Sequence, residues 1–146
     1  MMNKSFSVLI LVILIFLSAC GKKEPHVDIS NAWTRATQEE QDVGAAYMTL
    51  TANTDLTLTE IESSVTEDVE IHSMRTENGV MKMRMLDELA LKANTPVELS
   101  PGGFHLMLFD LENPLKAGDN VRFTLHFKNR QGKELILNVD SPIKAE

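Results

Sequence analysis

The chain has 146 residues, 43% of them hydrophobic and 24% charged, with 14 Lys and Arg against 21 Asp and Glu for a net charge of −7. That is room for one domain of ordinary size, a composition that excludes wholesale disorder, and an acidic balance that argues against nucleic-acid binding. The single Cys excludes an intrachain disulfide and a Cys-rich zinc module, whereas 8 Met beside 1 Trp and 1 Tyr is an excess that needs a reason.

Residues 1–20 read MMNKSFSVLILVILIFLSAC. Lys4 supplies a basic start, and residues 8–17 form an apolar run of signal-peptide length, too short to span a bilayer stably. Leu17-Ser18-Ala19-Cys20 resembles the bacterial lipoprotein box, which implies cleavage before Cys20 and a diacylglycerol on its sulfur. Residues 1–19 are therefore expected to be a lipoprotein signal peptide, 20–27 a lipidated tether and 28–146 the folded domain. Two or three acyl chains on one residue suffice for stable anchoring. The expected location is the cell envelope, membrane-anchored and facing the periplasm or the exterior.

Beyond the tether, short alternating runs repeat between turn signals, and no window holds a helix-length apolar stripe. Ala45, Tyr47, Thr49 and Thr51 alternate with Ala46, Met48 and Leu50. Leu56-Thr57-Leu58-Thr59 begins another strand, whose phase shifts at Ile61 and so predicts a bulge. Val121, Phe123, Leu125 and Phe127 alternate with polar residues, and after a turn at 128–132 the pattern resumes at Leu135, Leu137 and Val139. Seven to nine strands at this spacing predict an all-β sandwich or Greek-key barrel. Trp33, Met48 and Met81 are expected in the core, His126 on a solvated face, and Lys82 and Arg84 on the solvated back of their strand.

Residues 69–87 read VEIHSMRTENGVMKMRMLD. Asn78-Gly79 between extended runs predicts a type I′ hairpin, since both residues tolerate positive φ. A two-residue loop sets Met74 opposite Met83 and His72 opposite Met85, which places His72, Met74, Met81, Met83 and Met85 on one face. Further on, His105 and Met107 are two apart and point the same way on a strand, with Leu106 and Leu108 opposed. Thioether sulfur is soft and neutral and suits Cu(I), and neutral imidazole is a good partner ligand. A blue-copper electron-transfer site needs a Cys thiolate, and Cys20 is expected to be consumed by lipid. No catalytic triad, metal-protease helix or phosphate loop is placed by the sequence, so no enzymatic activity is expected.

His72, ten residues, Met83, twenty-one residues, His105, one residue and Met107 follow the His-x10-Met-x21-His-x-Met pattern of periplasmic copper chaperones of the PCu(A)C type. The words GVMKMR and PGGFHLML are also similar to that family, and the resemblance extends over about residues 28–140. It implies a cupredoxin-like β-barrel holding one Cu(I) by His72, Met83, His105 and Met107. It implies copper delivery outside the cytoplasm, typically toward the dinuclear copper centre of cytochrome c oxidase and alongside a thioredoxin-like assembly factor. The stretch Ile143-Lys144-Ala145-Glu146 departs from members with a Met/His-rich tail, which leaves a second, Cu(II) site unsupported. Met74 and Met85 lie beside the implied ligands and could each supply a spare sulfur. A monomer is expected. Copper buffering is the alternative function.

Overall fold

The computed structural model describes residues 24–145. Its ten strands are β1 (Val27–Arg35), β2 (Gly44–Ala52), β3 (Leu56–Ser63), β4 (Val69–Glu77), β5 (Val80–Leu86), β6 (Leu89–Leu91), β7 (Val97–Leu99), β8 (Phe104–Leu108), β9 (Asn120–Lys128) and β10 (Glu134–Lys144). There is no helix among the described residues. The count exceeds the seven to nine expected because β6 and β7 have three residues each, too few for alternation to register. The expected signal peptide and Cys20 lie outside the described residues. Val27, expected as the last tether residue, is buried and already opens β1.

The strands form one curled sheet in the order β5-β4-β8-β7-β2-β1-β10-β9-β3-β6. The pairings are antiparallel except β1–β10 and β7–β8. Curling brings two inner faces together. Val121, Phe123, Leu125 and Phe127 of β9 meet a single hydrophobic cluster that also contains Ala46, Met48 and Leu50 of β2, and Leu106 and Leu108 of β8. The bulge predicted near Ile61 is present as a register shift between Leu58 and Glu60. There the Thr59 hydroxyl donates to the His126 carbonyl at 3.3 Å, and Ile61 returns to the core.

Three expectations need correction. Trp33 lies outside the core cluster, stacked on Tyr47 with ring centroids 4.6 Å apart. The register of β1 shifts between Ser30 and Trp33, next to Asn31 at φ 52°, and this irregularity turns Thr34 inward in its place. Met81 is 64% exposed, unlike the buried Met48. Its strand β5 ends the sheet, and β8 covers β4 only from Val69 to Ser73, so the hairpin projects beyond its neighbour. His126 is half-buried rather than simply solvated, with Nε2 2.8 Å from Glu62 Oε1.

Thr34 and Ser141 share a 2.8 Å hydroxyl–hydroxyl hydrogen bond, and neither residue reaches solvent. Thr34→Val leaves the Ser141 hydroxyl without this partner. The expected loss is about 1–3 kcal/mol in urea unfolding, with Thr34→Val/Ser141→Ala regaining part of it because no orphaned hydroxyl then remains. A double variant no more stable than Thr34→Val alone would contradict this account.

Candidate metal centre

The β4–β5 hairpin forms as its turn residues dictate. Asn78 and Gly79 have φ of 53° and 77°, the two positive values of a type I′ turn. The register pairs Thr76 with Met81, Met74 with Met83 and His72 with Met85, as the two-residue loop requires. On its other side β4 pairs with β8, setting His72 opposite His105 and Glu70 opposite Met107. Met85, His72 and His105 therefore form one row across three strands. Met83 and Met74 form the next row toward the hairpin tip, and Met107 and Glu70 the row on the opposite side. Side chains alternate along a strand, so all of these share the face opposite Ile71, Leu106 and Leu108, which lie in the core.

The two imidazoles are the buried part of this face, His72 at 9% and His105 at 4% exposure. Their ring centroids are 5.8 Å apart with planes inclined by 39°, and Phe109 lies 6.0 Å from the His72 ring. Each ring has one nitrogen tied to an oxygen. His105 Nδ1 donates to the Gly103 carbonyl at 3.1 Å, which leaves a lone pair on Nε2. His72 Nε2 is 2.6 Å from Glu70 Oε2, and a carboxylate only accepts, so Nε2 carries the proton and Nδ1 the lone pair. That Nδ1 is buried and has no hydrogen-bond partner.

A buried acceptor left unpaired costs about 1–3 kcal/mol, and a bound cation removes that penalty. A ring whose second nitrogen is held by a carboxylate or backbone carbonyl is the usual state of a metal-ligating histidine, because the outer bond sets the tautomer and the ring orientation. Two rings bound to one ion by bonds of about 2 Å would stand at a separation like the one seen here. Among the described residues no group of three or more His, Cys, Asp and Glu side chains is arranged to hold a metal. Thioether sulfurs lie on the same face as this pair, and a mixed neutral set of imidazole and thioether suits a soft monovalent ion.

The expected site residues are distributed unevenly. His72 and His105 are brought side by side. Met107 is half-buried, two residues from His105, and borders a surface cavity of about 150 Å³ with Arg35 and Gln41. Met83 is 47% exposed on β5, one row nearer the tip than His72. Met74, opposite it, is half-buried, and Met85, directly opposite His72, is 55% exposed. Lys82 and Arg84 are exposed on the other face of β5, with Lys82 Nζ 2.8 Å from Glu77 Oε2. Sequence reading missed Glu70. Its position two residues before His72 puts an acceptor on the same face, which was the signal available.

A family model described as "Putative lipoprotein LpqE-like" matches residues 27–139. "Uncharacterized protein RP573" of Rickettsia prowazekii (strain Madrid E) is 34% identical over 122 residues, 80% of this chain. The chain spans 66% of the length of the curated relatives it matches. The solution structure of CuI-DR1885 from Deinococcus radiodurans superposes with a TM-score of 0.63 at 28% identity, over 88% of this chain and 84% of that one. The copper-bound PCuAC domain from PmoF2 superposes with a TM-score of 0.64 at 23% identity, over 82% of this chain and 93% of that one. The all-β, cupredoxin-like class expected from the sequence is the class these folds share.

Proposed function

The chain belongs to the LpqE-like lipoprotein family, and from that premise we propose that it is an envelope-anchored Cu(I) carrier, binding one ion through His72, Met83, His105 and Met107. The observation that carries this reading is the orphaned lone pair of His72 Nδ1 beside the His105 ring. The copper named in the solved relatives supports the choice of metal. Lipid on Cys20 would anchor the carrier to the membrane.

The site divides into a buried half and an exposed half. Glu70 and the Gly103 carbonyl hold the two rings in orientation. Met83 stands half-exposed on a strand paired on one side only, so its sulfur can close on an ion held by the rings and open again. Four neutral donors leave the ion its single positive charge, without the anionic grip of thiolates. Such a set binds copper and releases it. Among the described residues no cysteine accompanies these donors, and neutral thioethers favour the Cu(I) state, which supports carriage as the proposed role.

Delivery is proposed toward the dinuclear copper centre of cytochrome c oxidase, with a thioredoxin-like assembly factor as a second partner. The same site would also serve copper buffering. A deletion strain separates the two. Low oxidase activity rescued by added copper indicates delivery, while copper sensitivity with normal oxidase indicates buffering.

X-ray absorption on the Cu(I)-loaded protein tests the site itself. Both nitrogen and sulfur neighbours are expected, and a shell of nitrogen and oxygen alone would refute it. Glu70→Ala is expected to weaken Cu(I) binding about 10–100-fold, the range for loss of a group that orients a ligating histidine. Glu70→Gln keeps an oxygen acceptor at the same reach and should restore most of that affinity.

A further inference from the structure

The face that carries the histidines continues along β5 as a row of thioethers. Met81, Met83 and Met85 occupy alternate positions, so their side chains leave the strand on one side, about 7 Å apart at the backbone. Met74 faces Met83 directly, and His72 faces Met85. The row is open to solvent, with Met81 the most exposed and the other two about half exposed. Large exposed apolar residues gather here, since Val80, Met81, Met83 and Met85 share this strand, with Ile136 elsewhere. An edge strand ordinarily protects itself with charge. This one keeps its charges, Lys82 and Arg84, on the opposite face. Packing does not account for the row, because none of its three members belongs to the core cluster. The proposed copper site uses only Met83.

We propose that Met81, Met74 and Met85 form, with Met83, an exchange site for a soft monovalent cation. Cu(I) enters and leaves along it, between the hairpin and the His72–His105 pair. The inference rests on the proposed function for the ion's destination, but not for the row's own capacity to bind. At each step a sulfur–copper bond forms as another breaks. The ion stays Cu(I) throughout, the donors stay neutral, and no proton or electron moves. Thioethers in so open a setting hold the ion weakly, which a transfer path requires. The path ends where Met85 meets His72, whose unpaired Nδ1 supplies a stronger nitrogen donor.

The test is NMR of the full chain in detergent micelles, carrying Cys20→Ser so that no thiol competes, with labelled Met methyl groups. The titrant is Ag(I), a redox-inert soft monovalent ion. The first equivalent should shift the His72 and His105 rings and the Met83 and Met107 methyls. Further Ag(I) should then shift the Met74, Met81 and Met85 methyls while the buried Met48 methyl stays still. If the Met74, Met81 and Met85 methyls do not move in excess Ag(I), the proposal is wrong. Rings that stay unmoved while the row responds would instead defeat the principal site and leave the exchange site standing. The route has its own readout. Met81→Leu should slow Cu(I) transfer to a competing chelator several-fold, whereas Ile136→Leu, exposed but away from the row, should not. An unchanged rate in Met81→Leu would overturn the route.

Discussion

His105→Ala is expected to lower the affinity for Cu(I) by about a hundredfold or more, equivalent to about 2.8 kcal/mol. The ring is one of two nitrogen donors on the face, and its orientation is already set by the Gly103 carbonyl. Removing it forfeits a strong bond that needed little reorganisation to form. His72→Ala should cost a similar amount, and more than Glu70→Ala, which leaves the ring in place. Met107→Leu should cost less, because Met74 and Met85 offer sulfur on the same face. Competition with a chromophoric Cu(I) chelator measures all four. Both rings project away from the hydrophobic cluster, so the variants should retain the native unfolding transition. A folded His105→Ala protein with undiminished affinity would sink the assignment.

The largest effect on stability is expected at Phe127. This side chain is fully buried on β9, paired with Leu135 of β10 on one side and Leu58 of β3 on the other. Phe127→Ala opens a cavity between the two inner faces and should cost about 3–5 kcal/mol. Against a usual total of about 5–15 kcal/mol, that leaves a marginal fold. The contrast is Ile136, nine residues on in sequence but 52% exposed on the outer face of β10, where Ile136→Ala should stay within about 0.5 kcal/mol. Urea unfolding would show a large fall in midpoint for the first and almost none for the second. The reverse order would mean that the core is not where the structure puts it. The effect should reach the metal face as well. Ile71, Leu106 and Leu108, on the inner sides of β4 and β8, belong to the same cluster as Phe127, and those two strands hold the histidines.

The turn and the register of the hairpin were legible in the sequence, while the burial of its faces, Met81 among them, was not. Asn78-Gly79 admits one turn type, a two-residue turn admits one register, and a period of two then assigns every side chain on both strands to a face. For the same reason Leu106 and Leu108 were separable from His105 and Met107, and the bulge before Ile61 appeared as a break in alternation. These are local constraints, carried by neighbours along the chain.

The adjacency of β4 and β8 was not legible in this way. Spacing could suggest that His72 and His105 serve one ion, but their meeting in one row depends on how the whole sheet curls to close its core. The same closure leaves β5 at an edge, which exposes Met81 where an apolar residue was expected inside. A backbone irregularity in β1 moved Trp33 outward and Thr34 inward. The hydrogen bonds that the His72 and His105 rings donate to Glu70 and to the Gly103 carbonyl, and the Nδ1 lone pair left unpaired on His72, likewise depend on packed neighbours. The chain's own alternation and turn chemistry therefore determined faces and registers within the hairpin. Burial of one shared core, a property of all the strands together, decided which faces met and which donors were left free.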